Sequence, residues 1–123
     1  MVTLPTKENN FSANTISVHI KVEGWKKIST LKTSNPVINL YSNNELVHIT
    51  LISASKVQVN NTGQTQFVDN IPVGYRPYSN TVVPANHQSG GLIVVADNLL
   101  LFRHLNTSGT EIYIGTSITY PKT

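Results

Sequence analysis

An all-β fold of about ten short antiparallel strands, closed as a barrel or stacked as a sandwich, follows from three features of this 123-residue sequence. Helix formers are scarce: alanine and glutamate occur four times each, whereas asparagine, serine and threonine together fill 39 positions. The periodic segments are built from valine, isoleucine and threonine, whose branched Cβ atoms lose less freedom on a pleated sheet than against the preceding turn of a helix. Turn signals recur at about 8 to 12 residues, the spacing of sandwiches and barrels.

The elements follow in order. Thr15 to Val22 alternates, with Ile16, Val18, Ile20 and Val22 on one side, as a half-buried strand does. Glu23-Gly24 reverses the chain, and Trp25 to Leu31 returns around Ile28. Pro36 to Tyr41 and Leu46 to Ile52 form a pair across the Ser42-Asn43-Asn44 turn; apolar residues on both sides of the second predict a strand covered on both faces. Ser55 to Asn60 and Gln64 to Asp69 flank Asn61-Thr62-Gly63, a third hairpin signal. Two prolines bracket a glycine in Ile71 to Pro77, which predicts an ordered crossing loop because no ladder runs unbroken through it. Beyond it come a short strand at Thr81 to Pro84, a polar loop at Ala85 to Ser89, and strands at Gly91 to Ala96 and Leu99 to Leu105 joined by Asp97-Asn98. Thr110 to Ile114 and Thr116 to Tyr120 complete the set, with a bulge or bend at Gly115.

Length and charge bound the function. A chain of 13.5 kDa fits one domain and buries about two-thirds of its unfolded surface, so no metal or disulfide staple is required. The net charge of +3 is spread over only 12% charged residues and leaves no block that tracks a phosphate backbone, so nucleic acid is not an expected partner. Cysteine is absent, which removes thiol nucleophiles and cysteine-ligated zinc. The apolar runs Leu92 to Ala96 and Leu99 to Phe102 are far shorter than the roughly 18 to 20 residues of a spanning helix, and no signal-peptide profile opens the chain, so a soluble product without membrane insertion is expected.

Catalysis finds little support. The six carboxylates fall mostly at turns or strand ends, there is no Gly-x-Ser-x-Gly, His-Glu-x-x-His or phosphate-cradling loop, and the histidines scatter at 19, 48, 87 and 104. No catalytic residue, cofactor or metal site is predicted, since no histidine pair has the i, i+2 spacing of one strand face. The triplets at Asn10, Asn60 and Asn106 match an N-glycosylation pattern only by composition.

A binding surface is better supported. Phe102, Arg103 and Tyr113, with Asn86, His87 and Gln88 of the polar loop, are the candidate residues for saccharide: a ring covers the C–H face of a pyranose, and arginine, amide and imidazole groups hold hydroxyls. Alternation divides this set, because burying Phe102 buries His104 and leaves Arg103 outside. Trp25, the only tryptophan, is expected to be partly buried, and Tyr75 and Tyr78 to fix the crossing loop around Arg76.

Leu4-Pro5-Thr6-Lys7 before an all-β domain, the crossing Ile71-Pro72-Val73-Gly74-Tyr75-Arg76-Pro77, a late hairpin and a terminal Thr119-Tyr120-Pro121 occur in one order over essentially the whole chain. In this the sequence resembles the C-terminal head domain of receptor-binding (baseplate tip) proteins of siphophages infecting lactococci and related Gram-positive bacteria. The resemblance implies a compact antiparallel β-barrel, three copies about a threefold axis, a host cell-wall saccharide as ligand, and other phage baseplate proteins as neighbours in the virion. It further implies that residues 1–7 are the remnant of a neck and 8–123 the head. Such heads commonly use a tryptophan, a histidine, an acid and an arginine from the late strands; here the late hairpin offers Phe102, Arg103 and His104, and Ile93 to Val95 stand where a His-acid pair is sought. The alternative is a structural baseplate or tail-fibre module that contacts only other virion proteins. A homotrimer is also expected on physical grounds, because Leu92 to Val95, Leu99 to Leu101 and Leu105 supply more apolar surface than one sheet face hides.

Overall fold

The computed structural model describes residues 24–60, 62–85, 91–104 and 111–123. The expected strand at Thr15 to Val22, the segment 1–7 and the loop residues Asn86, His87 and Gln88 lie outside the described residues. Among the described residues there are ten strands and no helix. In chain order they are β1 (Lys26–Lys32), β2 (Val37–Ser42), β3 (Leu46–Ile52), β4 (Val57–Gln58), β5 (Gln64–Val68), β6 (Thr81–Pro84), β7 (Leu92–Ala96), β8 (Leu99–Arg103), β9 (Glu111–Ile112) and β10 (Gly115–Pro121).

All pairings are antiparallel. One four-stranded sheet has the order β10-β3-β2-β1, the other β5-β8-β7-β6, and β9 and β4 form a short ribbon. The predicted all-β antiparallel fold is therefore present, but neither sheet closes, and the barrel that the resemblance implies is not formed among the described residues. One reason is visible where β6 meets β10. Strand β6 ends on Pro84, which has no amide hydrogen to extend a ladder, and the contact there is a side-chain bond from Thr116 Oγ1 to the Pro84 carbonyl at 3.2 Å.

The two sheets bury one shared core. Ile38, Leu40, Val47, Ile49, Leu51 and Ile118 project from the first sheet, and Ile93, Val95, Leu100 and Phe102 from the second. Each is a period-2 position, and each aliphatic side chain so buried contributes about 1.5–3 kcal/mol. On β3 the alternation is clean: Val47, Ile49 and Leu51 are buried while Leu46, His48 and Thr50 are half-buried on the opposite side. The expectation of a strand covered on both faces is thus replaced by a central strand with one core face and one outer face.

The third hairpin is also corrected. Gln58 and Val57 pair with β9 rather than with the strand beyond Gly63, and β5 pairs with β8. The turn exists, with Asn60 Oδ1 accepting the Thr62 amide (3.1 Å) and hydroxyl (2.7 Å), but it passes the chain between two sheets. In the crossing loop Arg76 acts through its Nε, which donates to the Ile71 carbonyl at 2.7 Å, and its guanidinium lies 3.9 Å from Asp97. Tyr78 is 79% exposed.

Candidate functional site

The outer face of the first sheet is assembled by turn chemistry. Asn43 Oδ1 accepts the amides of Glu45 (2.8 Å) and Leu46 (2.7 Å), and Ser42 Oγ donates to the Leu46 carbonyl. Side-chain acceptors of this kind stabilise a tight reversal and fix the hairpin register. That register sets Tyr41 opposite His48, and the β3–β10 ladder sets Thr119 opposite His48. At the other edge Lys27 pairs with Tyr41, after which the register of β1 shifts so that Ile28 is extra and Thr30 meets Asn39. A bulge re-aims the chain in this way, and it keeps both Lys27 and Thr30 in rows with outer-face residues.

Trp25, immediately before β1, folds onto this face. Its ring centroid lies 5.7 Å from that of His48 at an interplanar angle of 54°, and the Tyr41 ring lies 6.5 Å from His48. Tilted rings at these separations attract through edge and face charge. His48 Nδ1 is 2.6 Å from Thr119 Oγ1. Trp25, Tyr41, His48, Thr50 and Thr119 together line an open depression of about 470 Å³, within the usual range for small-ligand sites. Trp25 is 48% exposed, half-buried as its sequence position suggested.

The electrostatics of this sheet are one-sided. Strands β1, β2, β3 and β10 carry three lysines and one histidine and not one carboxylate. The sheet's rings, imidazole and hydroxyls can stack on and hydrogen-bond a polyol. Among the described residues no three of His, Asp and Glu gather as a metal site.

The residues singled out in the sequence are placed elsewhere. Phe102 is fully buried, stacked on Phe67 at 6.3 Å and against His104 at 4.9 Å. A ring with no exposed face cannot receive a sugar, so Phe102 belongs to the core. His104 is buried beside it, with Nε2 3.0 Å from Thr65 Oγ1, and Arg103 points out, as alternation requires. Arg103 lines a second depression, of about 390 Å³, with Gly63, Gly91, Leu92 and His104. Gly91 is obligatory there: at φ 130° an added Cβ would meet Phe102 Cε1 at 2.7 Å and the Arg103 carbonyl at 2.9 Å. Tyr113 is 60% exposed between β9 and β10 and is not among the described residues lining that depression.

Arg103 and the aromatic cluster thus stand on outer faces of different sheets, on opposite sides of the shared core. Period-2 reading of Tyr41 and His48 about the Asn43 turn was the signal that could have found half of this cluster. No protein-family model matches the chain, and no curated protein matches its sequence.

Proposed function

We propose that this chain is a phage receptor-binding head domain that recognises a host cell-wall saccharide during adsorption, acting by binding and not by catalysis. The observation that carries the reading is the cluster of Trp25, Tyr41, His48 and Thr119 on a sheet face without carboxylates. An indole half-exposed beside a fixed imidazole offers a pyranose what it needs, an apolar plate for its C–H face and directional donors at its rim. The all-β antiparallel fold and the landmarks shared with lactococcal-type baseplate heads support the same assignment.

A shallow site of this kind holds one sugar patch at about 10 µM to 1 mM, near −4 to −7 kcal/mol. Three copies per head, displayed beside other baseplate proteins at the virion tail tip, raise residence on a cell surface through effective concentration. The second sheet supports self-association at two exposed positions of its outer face: Val82 and Leu92 are 50% and 44% exposed, although Val94 beside them is already buried within the chain. The same exposed positions would also suit a structural module docked on virion proteins, and saccharide binding separates the two readings.

The test uses Trp25 as its own reporter, since it is the only tryptophan. Titration with purified Gram-positive cell-wall polysaccharide is expected to shift and quench its fluorescence saturably, and Trp25→Ala is expected to abolish retention on the same polysaccharide. A Trp25→Ala protein that binds like the unaltered chain overturns the site, and a chain that binds no envelope polysaccharide overturns the function.

A further inference from the structure

Beyond the aromatic row lies a second row of different chemistry. Thr30, Asn39 and Thr50 face one another across β1, β2 and β3, and Ser117 of β10 continues the line. Successive same-face rows are about 7 Å apart along the strands, a step comparable to one pyranose ring. Thr30 Oγ1 donates to Asn39 Oδ1 at 3.1 Å, which occupies the amide oxygen and leaves Asn39 Nδ2 without a hydrogen-bond partner among the described residues. Thr50 Oγ1 likewise has none among the described residues, and Ser117 Oγ is exposed to solvent. Half-buried polar groups without partners carry a desolvation cost that a ligand hydroxyl relieves.

Resting on the saccharide reading above, we infer that the face binds an extended glycan of at least two consecutive sugar units laid along β2 and β3, not a single sugar or a chain terminus. The first unit stacks on Trp25 beside His48. The second lies over Asn39 and Thr50, with Asn39 Nδ2 donating to its hydroxyls and the Thr50 hydroxyl donating or accepting. Thr50 also lines the depression that holds Trp25 and His48, so the two subsites are continuous. The depression is open to solvent among the described residues, so a ligand chain continues past it.

The experiment measures binding of a size ladder, one to six sugar units, prepared from Gram-positive cell-wall polysaccharide. The tetrasaccharide is expected to bind at least about tenfold more tightly than the monosaccharide. In the Asn39→Ala protein that ratio is expected to fall to about one, while the Trp25 fluorescence response to the ladder persists. Equal affinity of the unaltered chain for one and four units overturns the two-subsite inference and leaves the saccharide reading standing. A variant that keeps the full ratio also overturns it. If no member of the ladder binds, both fall together, and because the length dependence is read on the unaltered protein, a variant that fails to fold does not remove the test.

Discussion

His48 and Thr119 face each other across the β3–β10 ladder, and the imidazole Nδ1 stands 2.6 Å from the threonine hydroxyl oxygen. A bond this short holds the ring in one orientation beside Trp25 and Tyr41. Thr119 is exposed and contributes little to the core. Thr119→Val keeps the shape and removes the hydroxyl, so saccharide affinity is expected to fall about 3- to 10-fold, the size of one lost hydrogen bond, with the melting temperature within about 2 °C of the original. Thr119→Ser should retain affinity, and isothermal titration against cell-wall polysaccharide reads both.

Neighbouring residues on β8 are expected to separate folding from surface chemistry. Phe102 fills the core against Phe67 and His104, so Phe102→Ala removes a buried ring and should cost about 3–5 kcal/mol in denaturant unfolding. Arg103, one residue on, is exposed, and Arg103→Ala should change stability by no more than about 0.5 kcal/mol. Because Arg103 stands on the outer face of the other sheet, its loss should leave polysaccharide binding at the aromatic cluster intact. Lost binding in Arg103→Ala would move the site to the depression beside Gly91.

Strand positions were legible where they depended on local pattern. Leu46–Ile52 and Thr81–Pro84 are bounded as the turn and loop residues around them indicate, and the in-out-in order of Phe102, Arg103 and His104 follows from period 2 alone. Pairing was less legible. Asn61-Thr62-Gly63 has the composition of a hairpin turn, yet the strands on either side join different partners, the first a strand more than fifty residues on and the second β8, because a turn sets direction and does not by itself set who pairs. The site was the least legible part. It brings Trp25 to His48 and His48 to Thr119, and it depends on a bulge at Ile28 that shifts the β1 register. Nothing within a few residues of any of these positions signals that meeting.

Self-association gives a prediction about mass. The apolar row on the outer face of the second sheet is exposed at Val82 and Leu92, whereas Val94 within it is already buried, and Leu92 stands opposite Arg103. Covering this row in a threefold assembly predicts a light-scattering mass three times 13.5 kDa at micromolar concentration. Charges placed there meet a desolvation cost in any such interface, so Val82→Asp/Leu92→Asp should return a single-chain mass with the fold retained by circular dichroism. An unaltered chain that already scatters as 13.5 kDa rules out the assembly.

Tyr120 links the core to the crossing loop and makes stability depend on alkaline pH. Its hydroxyl donates to the Tyr75 carbonyl at 2.5 Å, and burial among apolar neighbours pushes its ionisation up from the ordinary tyrosine value. The unfolded chain ionises this group near pH 10, whereas the folded chain holds it neutral well beyond that. A group whose folded value is raised contributes stability that is fully present below the unfolded value and is lost as pH rises through the interval between the two. Unfolding free energy should therefore be flat in this group's contribution up to about pH 10 and then decline by up to about 1.4 kcal/mol per pH unit. Tyr120→Phe cannot ionise, so it should be less stable than the original at pH 7 by about 1 kcal/mol for the lost bond, yet decline less steeply above pH 10. Parallel decline of both proteins in urea unfolding across that range would show that Tyr120 is not the group responsible.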